Sequence, residues 1–309
     1  YNFRLPKKKQ VFQVPVIFQT LDIYYVLQKL KYACYVINRK NIYKNETALD
    51  DIDILLEKVA QAHFYENKTV EMYFFCFKML ETEKSIFFQQ LKHLLETEVS
   101  VLNQNEQQNM YALALNFCNK KVRNGENYYE QMLDIYLLML EKDLLNDGKF
   151  LYHKYLKNIV STALKAEKLE LAKEITLTYK NTVEQKFRKT LFHLNMGAYF
   201  FYKREFAKAE KHFTRIEGIT LDYEINRRTL LLKLYYESDN ELFEYEEDNF
   251  LHFIKNNRAI AEKLKKGHLN FAKMTFKLYK EKIKLKQRRP NLEKLMGKIE
   301  KLSPVSDKK

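Results

Sequence analysis

The sequence predicts an all-α fold: a right-handed α-solenoid of about six stacked helix hairpins, closed by C-terminal capping helices. Three observations predict it. No proline stands between Pro15 and Pro290, a run that suits helices and disfavours turn-rich β structure. The chain has 6 glycines, where an average composition would supply about 20. Apolar residues recur at helical spacing, and the pattern itself repeats along the chain.

The repeat is clearest from Leu191 to Ile216. Gly197, Phe200, Phe206, Ala209 and Phe213 are spaced as in a tetratricopeptide unit. Small residues at 197 and 209 let two helix backbones approach, and the three phenylalanines fill the remaining groove. Lys203-Arg204-Glu205 is the polar turn between the helices. The match is partial, with His193 in place of the consensus Trp and Leu221 in place of the closing Pro.

In chain order, residues 1–18 read as an irregular arm, with a basic cluster at Arg4, Lys7, Lys8 and Lys9 followed by VFQVPVIF. Repeats occupy residues 19–256. Leu21–Arg39 and Asp50–His63 form the first hairpin, joined by a polar turn from Asn41 to Thr47. Thr69–Met79 and Ile86–Val99 form the second; Gln107–Val122 and Tyr128–Leu144, split at Asn124-Gly125, form the third. After the turn signal Asn146-Asp147-Gly148 come Tyr152–Ala166 with Leu169–Tyr179, then the 191–216 stretch, then Arg227–Tyr236 with Leu242–Ile254. Cys34, Cys76 and Cys118 lie 42 residues apart, each in a first helix. The register continues to Val160, then by 37 to Gly197 and by 36 to Lys233. A lone hairpin cannot bury its apolar faces and must stack on neighbours.

Residues 257–302 read as basic capping helices packed on the repeats, and 303–309 as a tail. Leu269, Ala272, Phe276, Tyr279 and Ile283 form one apolar stripe; Phe271, Met274, Leu278 and Leu285 form another on nearly the opposite side. Such a helix is sandwiched, with the segment after Pro290 available to cover the second stripe. The first helix carries Tyr24, Tyr25 and Tyr32 on its outer side, so the sequence predicts a further hairpin upstream of Tyr1, with VFQVPVIF folding back as the competing cover.

The charge is uneven. Residues 255–309 hold 18 Lys and Arg against 5 Asp and Glu, which accounts for +13 of the net +14. Lys266, Lys273, Lys277, Lys280 and Lys284 fall on one face and are the candidate binding residues, either for phosphates or for acidic protein. A solvated face is the plainer reading of the same residues. An acidic run, Glu237, Asp239, Glu241, Glu244, Glu246, Glu247 and Asp248, lies just upstream and either pairs with that face or is simply solvated.

No catalytic constellation is present. HExxH, ExxH pairs, GxGxxG, GxxxxGK[ST] and GxSxG are all absent. The seven histidines are scattered, and the His193–His212 pair on facing helices has no third ligand. The cysteines form no CxxC pair and read as reduced core thiols. No apolar run reaches the ~18 residues of a membrane span. The sequence therefore predicts a non-enzymatic chain without cofactor or metal that binds a protein or peptide partner. Its alternative is nucleic-acid binding through the basic C-terminal helix and the Arg4–Lys9 arm.

LNFCNKKVRNG (Leu115–Gly125), YLKNIVSTALKAEKLELAKE (Tyr155–Glu174), the 191–216 stretch and RRTLLLKLYYESDNELFE (Arg227–Glu244) resemble a family of tetratricopeptide-like proteins from Bacteroidetes bacteria. The resemblance implies a cytoplasmic α-solenoid that acts by binding. Leu194 and Ala198 stand where chaperone-binding members of the wider fold have Lys and Asn, so the resemblance disfavours a chaperone-tail receptor.

Overall fold

The computed structural model describes residues 14–43, 66–217, 220–285 and 292–301. Among them the fold is all-α. Helix α1 spans Val14–Tyr43, α2 Lys68–Thr82, α3 Ser85–Thr97, α4 Gln104–Arg123 and α5 Tyr129–Glu141. A minimal two-stranded pair, Asn146–Asp147 (β1) and Phe150–Leu151 (β2), turns around Gly148 at φ +63°. Then follow α6 His153–Lys165, α7 Leu169–Tyr179, α8 Gln185–Tyr202, α9 Phe206–Phe213, α10 Leu221–Glu237, α11 Phe243–Asn256, α12 Glu262–Leu285 and α13 Leu292–Lys301.

Short polar side chains start several of these helices. The Asn67 carboxamide oxygen accepts from the amides of Thr69 and Val70 at 3.1 and 3.2 Å. Asn103 accepts from the Glu106 amide at 3.0 Å, and its own side-chain amide donates to the Glu106 carboxylate. Thr220 caps α10 through the Tyr223 amide. Each cap satisfies a backbone donor that helix geometry leaves without a partner.

The turns inside the hairpins explain how so few glycines suffice. Among the described residues, one residue in each of five such turns adopts the left-handed conformation: Glu83 (φ 56°), Gly125 (φ 92°), Glu167 (φ 61°), Arg204 (φ 61°) and Asp239 (φ 52°). Their spacing of 42, 42, 37 and 35 follows the sequence repeat. Only one of the five is glycine, so the packing of the flanking helices holds four L-residues where the backbone alone disfavours them.

The chain divides into two compact units, Tyr1–Asn146 and Asp147–Lys309. In the first, α1 packs on α2 and α2 on α4, while α3 pairs with α2 and α5 with α4. Cys34, Cys76 and Cys118 occupy equivalent buried positions on α1, α2 and α4. Phe88, Phe117 and Tyr128 form an aromatic cluster among α3, α4 and the start of α5. An ion pair between Lys31 and Glu106 joins α1 to α4.

In the second unit α6 packs on α8, α8 on α10 and α10 on α12, with α7, α9 and α11 alternating between them. At one end His153, Phe187 and Tyr223 bring the starts of α6, α8 and α10 together; the His153 and Phe187 rings stack at 3.7 Å. Near the other end a link occurs twice. The Tyr199 hydroxyl on α8 donates to Glu170 on α7 at 2.8 Å, and the Tyr235 hydroxyl on α10 donates to Glu210 on α9 at 2.8 Å. In both, the first helix of one hairpin is tied to the second helix of the hairpin before it.

Several local expectations need correction. Residues 14–18 are not part of an irregular arm: they open α1, because Pro15 falls in a first turn, where a missing amide costs nothing and its fixed φ suits the helix. Val16, Ile17 and Phe18 therefore continue an exposed helix face with Tyr24, Tyr25 and Tyr32 and do not fold back over it. The helix also runs through Tyr43, into the turn placed at Asn41–Thr47. Residues 1–13, the Asp50–His63 helix, Pro290 and the 303–309 tail lie outside the described residues.

Helix α12 is not apolar on two opposed sides. Its buried apolar side chains, Phe271, Ala272, Met274 and Tyr279, form with the buried Thr275 one broad face that takes members of both stripes. Phe271 meets Phe250 and Tyr279 meets Phe243, both on α11. The outer members of the stripes, including Ile283, reach solvent. Helix α13 packs on α12, and its Met296 is exposed.

Candidate functional site

Each unit has a groove, and in each the lining comes from the first helices of successive hairpins. In the second unit, α6 contributes Lys157, Ser161 and Lys165 at intervals of four, one row of a helix face. Helix α8 adds Leu194, Asn195, Ala198 and Tyr202, and α10 adds Asn226, Thr229, Leu230 and Lys233. The groove is open to solvent and spans about 710 Å³. Val160, Leu164, Leu194 and Leu230 make an aliphatic floor, and the small Ala198 leaves the middle unfilled.

The polar lining is only partly satisfied from within. Asn195 is 3% exposed and its side-chain nitrogen has no hydrogen-bond partner. Burial pushes the Lys157 ammonium below the ordinary lysine value; Lys154 and Lys165 push the same way, and Asp222 opposes them. Asp222 itself pairs with Lys154 at 3.2 Å. Tyr202 lies at the exposed margin.

The groove of the first unit is lined by Asn38 of α1, by Met79, Leu80 and Glu83 at the end of α2, and by Asn116, Phe117, Asn119, Lys120 and Arg123 of α4. It too is open to solvent and spans about 860 Å³. Four of its polar groups pair with one another: the Asn116 amide donates to Asn38 at 3.3 Å, and Lys120 meets Glu83 at 2.6 Å.

The residues singled out from the sequence fall as follows. Lys266, Lys273 and Lys277 are exposed on α12. Lys280 pairs with Glu244 of α11 at 2.6 Å and lies over the Phe276 ring. Lys284 is on the same helix, with its side chain outside the described residues. Lys282, which was not singled out, pairs with Asp239 at 2.6 Å and donates to the Tyr236 carbonyl. Two carboxylates of the acidic run therefore engage the basic helix. A third, Glu237, pairs with Arg204, and a fourth, Glu247, is buried with its carboxyl raised by desolvation and by Asp248.

Of the repeat residues, Gly197, Ala209 and Phe213 are buried, and Phe200 and Phe206 are half-buried. The close neighbour of Gly197 is the Phe213 ring. Lys208 covers Phe200 and Arg204 covers Phe206. His193 and His212 meet at 3.1 Å between their Nδ1 atoms, with Phe192 and Phe200 around them. One ring must donate and the other accept, so at least one is neutral. Burial lowers both pKa values, helped by Arg215 at each ring. Among the described residues no three His, Cys, Asp or Glu side chains are grouped to hold a metal, and no helix is long and apolar enough to cross a membrane.

Sequence reasoning missed the second-unit groove, although part of its signal was in view. Lys157, Leu194 and Leu230 are separated by 37 and 36, the repeat register. Leu194 and Ala198 had been placed at ligand-facing positions by resemblance. The amides of Asn158 and Asn195 share the 37-residue register, but Asn226 lies 31 beyond Asn195, so periodicity does not collect all three.

No family model, no curated protein and no solved structure matches this chain.

Proposed function

We propose that this chain is a non-enzymatic protein–protein interaction scaffold. In this reading it is a right-handed, tetratricopeptide-like α-solenoid, and it holds a segment of its partner against the first helices of its hairpins. One observation carries the reading: each unit has a groove lined by successive first helices, α1, α2 and α4 in one and α6, α8 and α10 in the other, although a further cleft of the second unit lies between α10 and the second helix α11. Stacked hairpins present such faces as extended concave surfaces. The alternation of helix contacts, the repeated tyrosine–glutamate link and the left-handed turn residues in register support the architecture. The resemblance to Bacteroidetes tetratricopeptide-like proteins belongs to the same reading.

Nucleic-acid binding through α12 is the weaker reading. Glu244 and Asp239 already neutralise Lys280 and Lys282, which reduces the charge available to phosphates.

The test is quantitative capture of partners from the native cell with three forms of the full chain. Ala198→Arg fills the middle of the second groove and should abolish retention of the partner at an unchanged melting temperature. Lys211→Glu, exposed on α9 outside the groove, should retain it. Equal retention by both variants contradicts the proposal for this groove.

A further inference from the structure

The groove on α6, α8 and α10 differs in charge from its counterpart in the first unit. There, Glu83 lies among the lining residues and pairs with Lys120. Here every charged lining residue is a lysine, Lys157, Lys165 or Lys233, and no carboxylate lines the groove. We propose that this groove binds an acidic peptide segment, its carboxylates meeting Lys157 and the neighbouring lysines and its aliphatic side chains resting on the floor. This rests on the scaffold reading and adds the chemistry of the ligand.

Four features converge on it. Lys157 is half-buried and makes no hydrogen bond or ion pair among the described residues. A partly desolvated ammonium with two lysines nearby gains more from an arriving carboxylate than a solvated one does. The nearest acid, Asp222, is held by Lys154. Asn195 lines the groove, and its side-chain nitrogen is buried without an acceptor. Finally, the floor is aliphatic. A nucleic-acid strand would instead call for a cationic track with aromatic stacking platforms, whereas a peptide supplies acid and hydrocarbon together.

The test uses the full chain and a fluorescein-labelled peptide of repeated Glu-Glu-Leu units, blocked at both ends, with a Gln-Gln-Leu twin and a dT oligonucleotide. Anisotropy reads affinity at low and physiological salt. The Glu peptide should bind at least about tenfold more tightly than its twin and weaken with salt. Lys157→Gln should weaken it several-fold at an unchanged melting temperature. The combined Lys266→Gln, Lys273→Gln and Lys277→Gln variant should bind as the parent does. Equal binding of both peptides overturns the acidic preference and leaves the scaffold standing. Loss in the triple variant but not in Lys157→Gln moves the acid to α12 and overturns the site. Tighter binding of the oligonucleotide, or binding of neither peptide, also overturns the proposal. The scaffold reading of this groove fails separately, when Ala198→Arg keeps its cellular partner.

Discussion

Gly197 lies against the ring of Phe213: a Cβ at position 197 would stand 2.6 Å from Cδ1 of that ring and closer still to Cε1. Phe213 is fully buried, so the ring has little room to retreat. Glycine is needed here to admit an aromatic ring from the facing helix. Gly197→Ala should lower stability by about 1–3 kcal/mol through overpacking, despite the gain in helix propensity. Lys211→Ala, exposed on α9, should be near neutral. Equal denaturation midpoints for the two would contradict this packing.

The left-handed turn residues make a second prediction. Glu167 is exposed at φ 61° between α6 and α7. A β-branched residue is the worst occupant of that backbone region. Glu167→Val should cost on the order of 1–2 kcal/mol, whereas Glu167→Gly should be neutral or stabilising. Chemical denaturation of the two variants checks the order; a Val variant as stable as the Gly variant contradicts it.

Much of this architecture was legible in the sequence, and the reason is physical. Helix positions follow from the spacing of side chains such as Cys34, Cys76 and Cys118, and spacing is linear information. The starts of α8 and α10 were placed late because Phe187 and Tyr223 pack on His153 of another hairpin, and no local window contains that contact. Helix α12 misled for a related reason. Phe271 and Tyr279 belong to different stripes by spacing, yet both face α11, because Phe250 and Phe243 are wide enough to cover a broad face. The groove depends on three helices at once, so single-helix patterns gave only its separate rows.

The histidines set a pH dependence. Burial lowers the pKa values of His153, His193 and His212. The unfolded chain then binds more protons than the folded one in mild acid. Their contribution to stability is full above the unfolded value near 6.5 and is lost as pH falls below it. Glu247 acts oppositely, because its raised carboxyl takes up a proton in the fold and stability is gained as pH falls through its folded value. Comparing variants separates the two. His212→Gln should flatten the fall in melting temperature between pH 7 and 5 (about one unit either side of the ordinary histidine value). An unchanged slope would contradict the assignment.

Cys118 should be inert in the native state. Burial pushes its thiol up to about 12, although Lys92 pulls it down somewhat. Thiolate is the reactive form. With Ser at positions 34 and 76, reaction with an aromatic disulfide reagent should be slow in buffer and prompt in denaturant. Prompt reaction in the folded protein would contradict the burial.

The central claim is that first helices meet the partner. Hydrogen exchange of the full chain, free and with its captured partner, tests it most directly. Protection should appear in α6 at 157–165, in α8 at 194–202 and in α10 at 226–233, the lengths that line the groove. Protection confined to α7, α9 and α11, or to the basic helix α12, would contradict it.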